Sequence, residues 1–114
     1  MAKSEPSELF IKTVALVKAI PKGKVLTYGE AANLADSPGS ARYVSYILNS
    51  SSKKYGLPWH RVVNSQGKIS DHLGRGKQKI LLKKEGVIFQ SNKLDLAKYL
   101  WRPTPSQLRK IFGS

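Results

Sequence analysis

At 114 residues the chain has the length of one domain and is too short for two. It contains no cysteine, which excludes disulfides, thiolate metal sites and any cysteine nucleophile. Lys and Arg number 20 against 7 Asp and Glu, a formal net charge of +13 that makes nucleic acid the expected partner.

The surplus is uneven: residues 1–57 carry 8 basic and 4 acidic groups, residues 58–114 carry 12 and 3, so the second half is expected to hold more of the anion-facing surface. An apolar share of 40% argues for a folded domain, not a basic disordered tail. No apolar run approaches the length that spans a bilayer, and the polar start Met1-Ala2-Lys3-Ser4-Glu5-Pro6 lacks a signal-peptide core. The expectation is a soluble cytoplasmic monomer with no membrane partner, nucleoid-associated on DNA, or nuclear in a eukaryotic host.

Residues 7–20 have helical period, with Phe10, Val14, Val17 and Ile20 on one face. Pro21-Lys22-Gly23-Lys24 breaks that helix. Thr27-Tyr28-Gly29-Glu30 is a capping box opening a short helix through Ala35, Asp36-Ser37-Pro38-Gly39 is a turn, and Ser40 is placed to cap a second helix from Ala41 to about Asn49. Two short helices joined by a tight glycine-containing turn form a helix-turn-helix pattern. The second has Ala41, Val44, Ile47 and Leu48 on one face and Arg42, Ser45, Tyr46 and Asn49 on the other. That division suits a recognition helix, and it equally suits an ordinary amphipathic surface helix.

After the loop Ser50–Gly56, the segment Leu57–Val63, the turn Asn64-Ser65-Gln66-Gly67 and the return Lys68-Ile69-Ser70 read as a β-hairpin, the wing of a winged helix-turn-helix. A loop at residues 71–76 precedes a helix from about Lys77 to Glu85, closed by Gly86. Val87-Ile88-Phe89 reads as a short strand and Leu94–Trp101 as a last helical turn or two. The expected architecture is therefore α+β, mainly α: one winged helix-turn-helix domain over residues 1–101 with a short hairpin wing. A basic, loosely held tail over residues 102–114 follows.

Metal chemistry has no support: His60 and His72 are the only histidines, and the carboxylates do not cluster near them at ligand spacing. Gly74-Arg75-Gly76-Lys77 lacks the spacing of a phosphate-cradling loop. No metal and no cofactor are expected.

The segment Pro58-Trp59-His60-Arg61-Val62, with Tyr28, Arg42 and the hairpin that follows, resembles the O6-alkylguanine-DNA alkyltransferase family. In those repair enzymes a Pro-Cys-His-Arg-Val motif supplies the thiolate that accepts an alkyl group from guanine. Trp59 stands in the place of that cysteine, the hallmark of the alkyltransferase-like proteins, which share the fold and lesion binding but do not transfer the alkyl group. The resemblance runs from about Ser7 to Trp101. An indole is no thiolate, and no other cysteine is present to replace it, so cysteine-mediated dealkylation is excluded. A planar aromatic can instead pack against an extruded base.

The resemblance implies a DNA-damage sensor that binds O6-alkylguanine in duplex DNA and marks it for nucleotide excision repair proteins. By position, Arg42 matches the arginine finger that fills the gap left by the flipped nucleotide, with Ser45 and Asn49 beside it on the DNA-facing helix. Tyr28 matches the tyrosine that presses on that nucleotide's phosphate. The lesion pocket would comprise Tyr28, Trp59, His60, Val62, His72 and Leu73, with the carbonyls of Trp59 and Val62 accepting from guanine's amino group. His60 and Glu85 match the thiol-activating pair and, without a thiol, are expected to be a structural pair, with Arg61 anchoring loops or the helix that bears Glu85. His72 and Leu73 depart from the enzymes, which place a tyrosine and a serine there. Two rivals stand beside this reading: a sequence-specific winged-helix regulator reading base edges with Arg42, Ser45 and Asn49, and a DNA-modifying enzyme, which lacks a nucleophile or carboxylate cluster.

Overall fold

The computed structural model describes residues 7–69 and 76–113. The Ser7 hydroxyl accepts from the Phe10 N–H and caps α1, Glu8–Ala19, which ends before Pro21. Its buried stripe is Thr13, Leu16 and Val17, with Ile20 after it, while Phe10 and Val14 are half-buried. β1, Leu26–Thr27, leads directly into α2, Tyr28–Leu34, whose cap is the Thr27 hydroxyl accepting from Glu30 N–H at 3.0 Å.

Ser40 does not cap the next helix as anticipated; its hydroxyl lies 2.7 Å from that of Ser37. That helix, α3, spans Ala41–Tyr55 and absorbs the serine-lysine run expected as a loop. The Ser50 hydroxyl donates to the Tyr46 carbonyl at 2.9 Å, Ser51 is buried, and the helix stops only where Gly56 takes φ 63. Tertiary burial and a left-handed glycine cap thus outweigh the low helix propensity of serines. The division of faces is as anticipated: Val44, Ile47 and Leu48 are buried, whereas Arg42, Tyr46 and Asn49 are exposed and Ser45 is half-buried.

The expected hairpin over residues 57–70 is replaced by a different pairing. Trp59–Arg61 form a 3₁₀ turn, and β2, Val62–Val63, pairs in parallel with β1, Leu26 opposite Val62 and Thr27 opposite Val63. Asn64 Oδ1 accepts from the N–H groups of Gln66 and Lys68, which turns the chain away from β2. Lys68 then bridges to Lys93, next to the one antiparallel pair among the described residues, β3 (Phe89–Gln90) with β4 (Lys93–Leu94). α4, Lys77–Lys84, precedes β3, and α5, Leu96–Tyr99, follows β4. Helices with small sheets make up the fold, so the α+β, mainly α class holds.

The β1–β2 pair separates two apolar clusters by simple alternation. Leu26 and Val62 face the cluster of Leu16, Val17, Ile20, Ala31, Ala32, Val44 and Leu48, and Val25 and Val63 face that of Ile69, Leu82, Val87, Leu94 and Tyr99. Within the stretch expected as a loosely held tail, residues 102–113 are instead packed down. Thr104 and Gln107 form a reciprocal capping box over α6, Pro105–Phe112, with Pro105 in the first turn, where its missing N–H costs nothing. Leu108 and Phe112 pack on the first cluster.

Candidate nucleic-acid interface

α3 presents Arg42 near its start and reaches a cavity of about 550 Å³ near its end, a size typical of small-ligand clefts. Tyr28 enters from the first turn of α2, Asn49, Ser52 and Lys53 from α3, Trp59 from the 3₁₀ turn and Lys77 from the start of α4, over a floor of Leu48 and Leu57. Two ammonium groups and no carboxylate therefore line it. The Ser52 hydroxyl is buried there with no hydrogen-bond partner among the described residues, and burial pushes the Tyr28 phenol up from its ordinary value.

Beside Trp59 lies a charged block. Glu85 accepts from Arg61 Nη2 at 2.7 Å and Nε at 3.0 and 3.2 Å, and from the Gly23 N–H at 3.0 Å. His60 Nε2 lies 2.9 Å from Glu85 Oε2, and Arg61 Nη1 donates to the Ile20 carbonyl at 2.8 Å. One carboxylate thereby joins the end of α1, the 3₁₀ turn and the end of α4. Burial alone would raise the Glu85 pKa; the hydrogen bonds from Arg61, His60 and Gly23 and the Arg61 charge outweigh it and hold it at about 2. An ionised carboxylate only accepts, so the bonded His60 nitrogen carries the proton. This tertiary partnership accounts for an acid at a helix C-terminus, where the dipole disfavours it. The Trp59 indole stands edge-on to the imidazole thus fixed, ring centres 6.1 Å apart at 86°.

Of the residues anticipated for the lesion pocket, Tyr28 and Trp59 line the cavity, joined by Asn49 from the anticipated DNA-binding set. His60 turns toward Glu85 instead, because the carboxylate holds its ring, and Val62 is buried in β2. His72 and Leu73 lie outside the described residues. Arg42 and Ser45 share the α3 face but do not line the cavity. Sequence reasoning missed Ser52, Lys53 and Lys77, since it ended α3 too early and had no means of bringing the start of α4 against it. It also missed Gln78, whose Nε2 donates to the carbonyls of Val62 at 2.9 Å and His60 at 3.2 Å. Among the described residues no group of His, Cys, Asp or Glu could hold a metal, and no helix is long and apolar enough to cross a membrane.

Residues 8–87 match the family model of the 6-O-methylguanine DNA methyltransferase DNA binding domain. The chain is 45% identical over 100 residues to the DNA base-flipping protein of Vibrio parahaemolyticus, covering 84% of this chain and 98% of that one. It is 40% identical over 104 residues to alkyltransferase-like protein 1 of Schizosaccharomyces pombe, covering 84% and 96% respectively. The crystal structure of S. pombe Atl1 in complex with damaged DNA containing O6-carboxymethylguanine superposes with a TM-score of 0.76 at 38% identity, over 90% of this chain and 100% of that one. The chain therefore belongs to the DNA-binding-domain family of the 6-O-methylguanine DNA methyltransferases and, within it, to the base-flipping, alkyltransferase-like proteins.

Proposed function

We propose that this protein is a DNA-damage sensor that binds O6-alkylguanine in duplex DNA, takes the modified nucleotide into the cavity beside Trp59 and leaves its alkyl group in place. The observation that carries this reading is an indole on the cavity wall, at the motif position of the acceptor cysteine, in a chain with no thiol. The likeness to an S. pombe protein crystallised on O6-carboxymethylguanine DNA supports the class of lesion.

In this mechanism the basic surface binds duplex without regard to sequence, and Arg42 enters the base stack where the nucleotide leaves. Tyr28 presses on the extruded nucleotide's phosphate while Trp59 packs against its base. The Trp59 carbonyl already accepts from the Val62 N–H, and the Val62 carbonyl from Gln78. Each keeps a second lone pair for guanine's amino group. By their place in the sequence His72 and Leu73 belong to this proposed pocket, where His72 can donate a hydrogen bond and the Leu73 side chain cannot, and the His60–Arg61–Glu85 block keeps the Trp59 turn rigid. No cofactor takes part. The bound protein, acting as a monomer, marks the lesion for nucleotide excision repair proteins.

The test is binding to two duplexes that differ in one guanine, unmodified or O6-methylated, at two salt concentrations. Tighter binding to the methylated duplex that persists as salt rises is the expected result. Equal binding that collapses with salt, along a slope of about −0.9 per neutralised phosphate, leaves only a basic DNA-binding domain without a lesion pocket.

A further inference from the structure

The outer face of α3 carries two large aromatic side chains that the sensor reading does not use. Tyr46 is 62% exposed and Tyr43 39%, and their rings stack with centres 5.9 Å apart and planes 18° from parallel. Arg42, Tyr46 and Asn49 are spaced i, i+4, i+7 and so form one stripe along the helix. Tyr46 lies about 6 Å along the axis from Arg42 and about 4.5 Å from Asn49. Asn49 lines the cavity.

We propose that Tyr46 is a second DNA-contacting wedge, and that Tyr43 positions it. This rests on the sensor reading. If Arg42 fills the gap and the extruded nucleotide enters the cavity at Asn49, the helix leaves Tyr46 no place except between them. It lies there against the strand from which the nucleotide came. At about 3.4 Å per nucleotide the ring falls within one or two steps of the gap. Its partner surface is the wall of deoxyribose and base edges in the opened groove. Stacking by Tyr43 takes one face of the Tyr46 ring and limits its rotamers, leaving the other face to meet DNA. The contact is made by the ring and not by the hydroxyl, so it adds affinity without adding a neutralised phosphate.

The full chain and its Tyr46→Ala, Tyr46→Phe, Tyr43→Ala and Arg42→Ala variants are titrated by fluorescence anisotropy across a salt series. The probes are a duplex with one O6-methylguanine and its unmodified twin. Tyr46→Ala is expected to weaken binding to the methylated duplex about tenfold, by more than to the unmodified one, with the salt slope unchanged. Tyr46→Phe is expected to stay within about twofold of wild type and Tyr43→Ala to lose about threefold. Both tyrosines are exposed, and Tyr46→Phe keeps the ring, so matched circular dichroism and melting separate loss of contact from loss of fold. Unchanged binding by Tyr46→Ala in a wild-type background that discriminates the two duplexes overturns this inference alone. Equal weakening by Tyr46→Phe and Tyr46→Ala with a shallower slope also overturns it, in favour of a hydroxyl–phosphate contact. A wild-type chain that binds both duplexes alike overturns the sensor reading itself.

Discussion

Replacing Glu85 with alanine leaves the Arg61 guanidinium and the His60 imidazole without their shared partner, although both side chains are less than one-sixth exposed, at 14% and 13%. Breaking a buried pair in this way costs about 3–5 kcal/mol, because a charge is left buried and uncompensated. Part of that cost depends on pH. Glu85 titrates at about 2 in the folded chain against an ordinary 4.5. At about 1.4 kcal/mol per pH unit that sets a ceiling of about 3 kcal/mol. Water at the edge of the carboxylate, whose side chain is 9% exposed, reduces it to about 2 kcal/mol. Because the folded value is the lower one, this stabilisation is complete above about pH 5 and is lost as pH falls toward 2. Urea unfolding followed by the fluorescence of Trp59 and Trp101 is to be measured from pH 7 to pH 2.5 for wild type and Glu85→Ala. The gap between them is expected to be about 3–5 kcal/mol at pH 7 and to shrink on acidification. A gap below about 1 kcal/mol at pH 7, or one that stays constant to pH 2.5, would refute the reasoning.

Gly67 has φ +73, and a Cβ there would sit 2.8 Å from the Leu94 carbonyl oxygen and 3.1 Å from Leu96 Cγ. Gly67→Ala is accordingly expected to lower unfolding stability by about 1–3 kcal/mol in denaturant titration, while an equal stability would show that the Lys68–Lys93 segment yields. Phe112→Ala removes an α6 anchor from the α1 face and is expected to cost about 1–2 kcal/mol in the same titration. Since α6 supplies no residue to the cavity, discrimination between methylated and unmodified duplex should survive at a temperature where the variant is folded.

The order and type of the helices from α1 to α5 were legible because their signals are local. The apolar period of residues 7–20 repeats with each helical turn, and Thr27 three residues before Glu30 and Gly86 after a lysine-rich turn each act over one turn of chain. The binary pattern of α3 likewise announced which side chains would be exposed. The Pro58–Val62 motif named the family, and the absence of cysteine by itself limited the chemistry. What lay beyond the sequence was every feature that depends on partners distant in the chain. Val62 and Val63 suit a local hairpin as well as a parallel pair, and burial on both faces beside Leu26 and Val25 decided between them. The end of α3 was hidden because serine propensity opposes a helix that the core and Gly56 support. Residues from Arg102 on read as a loosely held basic tail, yet Pro105 begins a helix because Leu108 and Phe112 find an apolar surface on the core beside α1. The cavity is the clearest case. Trp59 was identifiable by its motif, but Ser52, Lys53 and Lys77 carry no motif of their own. They became neighbours only when the β1–β2 pair set the Trp59 turn beside the end of α3 and the Gln78 amide tied the start of α4 to that turn. Sequence fixes what is local or periodic, whereas a binding cavity is made from contacts between residues tens of positions apart, whose closure only the packed core determines.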